Sequence, residues 1–126
     1  RNRHIVIMNA GAIVGRADGT HIFARHLAHM QMARAQYPGL LSVSVHNTGA
    51  MIAARRAGVD VIFLSPVFPT RSHPGAPTLG PMRFATLARL ARCPVIALGG
   101  MNAARFRRLK PLGAYGWAAI DALINV

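Results

Sequence analysis

The chain has 126 residues, 52% of them apolar, which allows one domain able to bury roughly two-thirds of its unfolded surface. No apolar run reaches the ~18 uncharged residues of a membrane span, and the single cysteine, Cys93, excludes a disulfide framework and fits a cytoplasmic setting. Fifteen Lys and Arg residues face three Asp and no Glu, a net charge of +12, which raises phosphorylated ligands or nucleic acid as partners.

The opening RNRH leads into only four apolar residues, Ile5 to Met8, too short for the core of a secretory signal. The chain lacks an initiator methionine and reads as a piece of something longer. Strand-like runs then alternate with helix-like runs. Residues 5–8 and Gly19–Ile22 are the first two expected strands, and a helical pattern follows over 28–35. Next come a strand over 41–45, a helix over Thr48–Ala57, a strand over Val61–Leu64 and a helix over 81–91. A strand over 95–97, a helix over 102–109 and a strand over 117–120 complete the series. Pro81 suits a first helical turn, where its missing N–H is not needed. Asn102 is a fair N-cap. Cys93, between a helix and an apolar strand, reads as a small buried residue rather than a nucleophile.

Three times a helix end runs through Ala and Gly into the next strand, at 16–19, 57–60 and 113–116. Glycine there would supply the left-handed residue that ends a helix. Successive strands are about twenty residues apart, the spacing of βα units in a parallel barrel or a doubly wound sheet. Asp18 and Asp60 precede their strands and fall on the stability edge of such a fold. The opposite, C-terminal edge then collects Asn9, His21, His26, Ser44, His46, residues 65–73, Gly99-Gly100 and Asp121.

Residues 61–75, VIFLSPVFPTRSHPG, are the most informative stretch. The apolar run reads as a strand buried on both faces. The polar, proline-stiffened segment starts where that strand ends, at the edge where parallel α/β folds bind ligands. Thr70, Arg71, Ser72 and His73 offer hydroxyl, guanidinium and imidazole donors to an anion. Gly99-Gly100, followed by a helix start, is a candidate phosphate cradle, because glycine admits close backbone approach and the helix N-terminus supplies N–H groups. Most arginines (Arg34, Arg55, Arg56, Arg89, Arg92, Arg105, Arg107 and Arg108) fall in expected helices opposite the Ala/Leu stripe, as solvated faces. Eight aromatic residues without basic interleaving give no base-stacking platform, so nucleic acid is not an expected partner.

The runs SVSVHN (42–47), VIFLSPVFPTRSHPG (61–75), PVIALGG (94–100) and LGAYGWAAIDAL (112–123) resemble thiamine phosphate synthase and its thiazole tautomerase relatives. The resemblance covers residues 5–123. It implies an α/β fold, a (β/α)8 TIM barrel, with this chain as a single partial domain carrying strands three to eight and lacking the first two βα units. It implies a transferase of thiamine biosynthesis that joins hydroxymethylpyrimidine diphosphate to thiazole phosphate with Mg²⁺ assistance. Its partners would be small phosphorylated substrates, with no membrane. By the same resemblance Asn9 contacts the pyrimidine, His21 lies beside it, and Ser44 binds the diphosphate. Thr70 and Ser72 line the thiazole phosphate pocket, with Gly100 giving a backbone contact.

Several positions depart from the family pattern. Ala10 stands at the first Mg²⁺ aspartate, and HIFARH at 21–26 lacks the second acidic ligand. His73 stands at the loop lysine and is the candidate general acid/base, since imidazole titrates near neutrality. Asp121 stands at a phosphate-binding serine. Arg25 and Arg71 could bind diphosphate directly in place of metal and lysine. Pro66 occupies the position of the tautomerase histidine, so tautomerase activity is not favoured. His46 reads as a structural histidine. His26 and His29 lie three apart with nothing to complete a zinc site, and no metal ligands are assigned. A non-catalytic phosphate-binding barrel is the alternative. Six parallel strands cannot close an eight-stranded barrel, so a partner chain, as in a homo-oligomer, or further residues would cover the gap.

Overall fold

Six short β-forming runs pair side by side in chain order in a computed structural model, which describes residues 7–9, 18–23 and 39–119. They are β1 (Ile7–Asn9), β2 (Gly19–Ile22), β3 (Leu40–Val45), β4 (Val61–Leu64), β5 (Val95–Leu98) and β6 (Gly116–Ala118). Every neighbouring pair is parallel. The described helices are α1 (Thr48–Ala57), α2 (Gly80–Leu90) and α3 (Ala103–Leu109), the last running into a 3-10 turn at Lys110–Leu112. The expected helix over 28–35 and the candidate Asp121 lie outside the described residues. The α/β class with a parallel sheet therefore holds. The order never reverses, so right-handed crossovers place the helices on one face of the sheet.

Local chemistry accounts for the helices. Asn47 caps α1, its Oδ1 accepting from the Ala50 N–H at 2.9 Å, and Gly58 at φ 69° ends it. Ala50, Met51, Ala54 and Ala57 recur at helical spacing and are the buried face of α1. Asn102 caps α3 as expected, accepting from the Arg105 N–H at 2.9 Å. Pro81 lies in the first turn of α2. Arg55 and Arg56, Arg89, and Arg107 and Arg108 occupy the last turns of the three helices, where cations complement the helix dipole. They are exposed, so much of the arginine surplus is solvated helix surface.

Period-two alternation sorts the central strands. Leu41, Val43 and Val45 of β3 are fully buried, as are Ile62 and Leu64 of β4 and Ala97 of β5. They form one core with Met51, Ala54, Phe84, Leu87 and Leu109. Asp60 secures the N-terminal edge. Its carboxylate accepts from the Leu41 N–H at 2.8 Å, and its own N–H donates to the Leu41 carbonyl at 2.8 Å. Cys93 is half-buried, and burial, helped by Asp60, pushes its thiol pKa up. A raised pKa disfavours the thiolate and a nucleophilic role.

The repeated helix-end glycine is right twice and wrong once. Gly58 and Gly113 have φ of 69° and 111° and end their helical segments. Gly19 is instead a strand residue with no positive φ. It is glycine because a Cβ there would lie 2.2 Å from the Leu40 carbonyl oxygen and 2.6 Å from the Leu40 Cβ. The left-handed glycine of that segment is Gly39, at φ 95°. We therefore expect Gly19→Ala to force β2 away from β3 and lower stability by about 1–3 kcal/mol, the usual cost of overpacking. Urea unfolding of the variant checks this, with Gly49→Ala as a control, since a Cβ at Gly49 meets only the Asn47 Oδ1 at 3.5 Å.

Candidate functional site

The C-terminal edge carries two clusters. The first is a cavity of about 400 Å³ bounded by the loop between β4 and α2 on one side and the turn after β5 on the other. Its polar wall is His46, Ser65, Thr70, Ser72 and His73, and its floor includes Leu98, Gly99, Gly100 and Met101. No carboxylate is among these lining residues, so the cavity offers donors without repelling an anion.

The loop is joined to β5 by backbone bonds. The Val67 N–H donates to the Leu98 carbonyl at 3.0 Å and the Phe68 N–H to the Gly99 carbonyl at 3.1 Å. Leu79 and Gly80 donate back to the carbonyls of Pro66 and Val67 at 2.9 and 2.8 Å. The Ser65–Pro66 peptide is cis. The backbones approach so closely that both turn residues must be glycine. A Cβ at Gly99 (φ 101°) would lie 2.8 Å from the Pro66 Cα, and one at Gly100 (φ 60°) 2.4 Å from the Pro69 carbonyl oxygen. The Thr70 Oγ1 accepts from the Ser72 N–H at 3.2 Å, a local turn that holds the two hydroxyl residues together.

Arg105 corrects the sequence reading that placed it on a solvated face. It is half-buried, its Nη1 donates to the Gly100 carbonyl oxygen, and its guanidinium carbon lies 4.7 Å from the Phe68 ring centroid. It therefore orients the Gly100 peptide and brings positive charge to the Gly99-Gly100 turn. Its signal was readable: Arg105 is the third residue after the Asn102 cap, on the helix end that faces the glycines. His46 follows β3, is exposed, and lines the cavity. Its Nδ1–H donates to the Ser65 carbonyl at 2.8 Å, so in the neutral ring the lone pair is on Nε2. Arg71 is exposed and does not line the cavity, although Thr70 and Ser72 on either side of it do. Arg25 and His26 lie outside the described residues.

The second cluster lies on the sheet face opposite the helices. Register places Asn9 beside His21 and His21 beside Ser42. The His21 ring bridges two serines, Nδ1 to the Ser42 Oγ at 2.8 Å and Nε2 to the Ser44 Oγ at 2.8 Å. Phe23 and Phe63 pack edge-on against it, each with centroids 5.5 Å away. Burial pushes the His21 pKa below its ordinary value of 6.5. Ser44 lies in β3, two residues before His46, which follows the strand. The structure thus separates the candidates into a bridged group (His21 and Ser44, with Asn9 in register) and a cavity group (Thr70, Ser72, His73, Gly99 and Gly100).

A one-way parallel α/β sheet with a donor-lined cavity at its C-terminal edge is the arrangement in which parallel α/β proteins carry their ligand sites. The sequence profile of the thiamine monophosphate synthase family matches residues 9–123, and the chain belongs to that family. It is 30% identical over 114 residues to a putative thiamine-phosphate synthase 2 of Aquifex aeolicus, covering 90% of this chain and 61% of that protein. It is 34% identical over 116 residues to a thiamine-phosphate synthase of Methanoculleus marisnigri, covering 90% of this chain and 55% of that one. The chain therefore spans little more than half the length of these relatives. Among solved structures it resembles a thiamine phosphate pyrophosphorylase from Pyrococcus furiosus, with a TM-score of 0.68, 25% identity, and coverage of 82% of this chain and 49% of that one.

Two expectations follow. Gly100→Ala should displace the 66–69 loop, lower stability by about 1–3 kcal/mol and abolish binding of inorganic phosphate, as read by calorimetry. The second concerns His21, whose depressed pKa means that the folded state binds the proton less readily than the unfolded state. Its contribution to stability is then full above about pH 6.5 and lost as pH falls through the folded pKa. Urea midpoints between pH 7.5 and 5 should fall in the wild type, and more shallowly in His21→Gln.

Proposed function

We propose that the chain contributes six of the eight βα units of a (β/α)8 barrel and acts as a thiamine phosphate synthase. The reaction would transfer the hydroxymethylpyrimidine group from its diphosphate to the nitrogen of thiazole phosphate. The bond from the pyrimidine methylene carbon to the diphosphate oxygen breaks, the diphosphate leaves with that electron pair, and the thiazole nitrogen supplies the pair for the new C–N bond. The observation that carries this reading is the cavity joining the Thr70/Ser72 hydroxyls to the Gly99-Gly100 turn. The unreversed parallel order supports the barrel, since a closed parallel barrel needs that order. The two free edges of the six-stranded sheet would be joined by two further βα units, from the same polypeptide or from another copy in a homo-oligomer.

The residues take separable roles in this reading. Thr70, Ser72 and the Gly99-Gly100 backbone hold the thiazole phosphate, with Arg105 steadying the turn. Ser44 donates to the diphosphate, and Asn9 contacts the pyrimidine. His73, exposed at the cavity mouth, donates to the phosphates in place of a lysine or passes a proton. Catalysis by such a site is mainly positioning and electrostatic stabilisation of the leaving group. Mg²⁺ serves reactions of this class by neutralising diphosphate and needs oxygen ligands, ideally charged. Among the described residues no group of three or more His, Cys, Asp or Glu could hold a metal ion. These residues do not fit Mg²⁺ by themselves, and no step here depends on it. Among the described residues no helix is long and apolar enough to cross a membrane, in keeping with small phosphorylated substrates as partners.

The test is calorimetric titration with thiazole phosphate and then with hydroxymethylpyrimidine diphosphate, followed by assay for thiamine phosphate. Binding of both with product formed is the expected result. Ser72→Ala should weaken thiazole phosphate binding about tenfold, the effect of one hydrogen bond to a charged group. Binding of thiazole phosphate without product, in a chain that binds both substrates, would replace the transferase reading with a phosphate-binding barrel.

A further inference from the structure

The His21 bridge has a direction. Ser42 is fully buried, and its hydroxyl has one donor and two acceptor positions. Among the described residues its one hydrogen-bond partner is the His21 Nδ1, at 2.8 Å. An unused buried donor costs more than an unused lone pair, so the Ser42 O–H donates to Nδ1. A neutral imidazole has one N–H and one lone pair. With Nδ1 accepting, the proton is on Nε2, and Nε2–H donates to the Ser44 Oγ at 2.8 Å. The half-buried position of the ring, between the edges of Phe23 and Phe63, favours this neutral form. The Ser44 oxygen then accepts from inside the protein, and its own proton is turned away from His21. No other partner of the Ser44 hydroxyl is found among the described residues.

We infer that Ser42 and His21 are positioning residues that form a one-way chain, Ser42→His21→Ser44, which fixes the Ser44 hydroxyl as a hydrogen-bond donor toward an acceptor-only group such as a diphosphate oxygen. Donors aligned head to tail polarise one another, so the terminal hydroxyl donates more strongly than an isolated serine. Reversing the histidine tautomer would invert the chain and present oxygen lone pairs to an anion. Ser42 thus selects the ligand charge that Ser44 accepts without touching the ligand. The inference rests on the proposed function only for the identity of the anion.

The test is long-range 1H–15N correlation of the His21 ring in the wild type, Ser42→Ala and Ser42→Thr, with a parallel calorimetric titration by inorganic pyrophosphate. The wild type is expected to carry its ring proton on Nε2. Ser42→Ala should lose that preference and bind pyrophosphate about fivefold more weakly, the effect of one net hydrogen bond. Ser42→Thr keeps the hydroxyl and should restore both readouts. A wild-type ring protonated on Nδ1 or on both nitrogens would overturn the inference. So would a Ser42→Ala protein with unchanged tautomer and affinity. A wild type that keeps the Nε2 proton and responds to Ser42→Ala, but does not bind pyrophosphate, would uphold the chain and count against the synthase reading instead.

Discussion

The hydrogen-bonded seam between β4 and β5 does not stop where the strands stop. It continues through Val67 and Phe68 onto the carbonyls of Leu98 and Gly99, and the remaining site depends on that continuation. It holds a proline-rich loop against a double-glycine turn at a distance that excludes any Cβ. Loops of this kind are normally the variable part of a parallel α/β fold. Here the backbone bonds and the tight contact make the loop an extension of the sheet. Thr70 and Ser72 thereby sit on a loop whose base is anchored to β5.

The two clusters lie at different depths. The cavity group stands beyond the strand ends, near solvent, and consists of glycine backbone and hydroxyls with Arg105 beside the turn. The His21 group stands on the strands themselves, in a partly desolvated setting where hydrogen bonds are stronger and unsatisfied donors costlier. His21 in β2 and His46 just after β3 each have the ring proton directed by a protein partner, but in opposite senses. The Ser65 carbonyl forces the proton of His46 onto Nδ1, whereas the Ser42 hydroxyl draws that of His21 onto Nε2. One site edge therefore presents an imidazole lone pair and a directed hydroxyl a few residues apart.

The strong positive charge has a modest structural meaning. The arginines in the last turns of the three helices lie where a cation suits the helix dipole, and they are exposed. Arg105 alone among those described helical arginines is turned inward to a carbonyl and an aromatic ring. Composition could not separate it from its neighbours Arg107 and Arg108, because helix phase and the position of the glycine turn decide the difference.

The alternation of apolar runs and capped helices was enough to read a parallel α/β chain, since burial on both faces and capping chemistry are local properties. The β2 and β4 bounds, the α1 bounds, the Asn102 cap and the left-handed Gly58 and Gly113 follow from the residues themselves. The SPVFPTRSHPG and ALGG runs likewise pointed to the cavity lined by Thr70, Ser72, His73, Gly99 and Gly100. Only the tertiary structure decided that Arg71 stays outside that cavity, that His46 lines it, and that Gly19 is small because of Leu40. It alone revealed the bridge from Ser42 through His21 to Ser44, residues 21 and 23 positions apart in the chain. The physical reason is common to all of these. Propensity and capping act over a few residues, whereas strand register, close backbone approach and side-chain hydrogen bonding depend on segments that meet only when the sheet has formed.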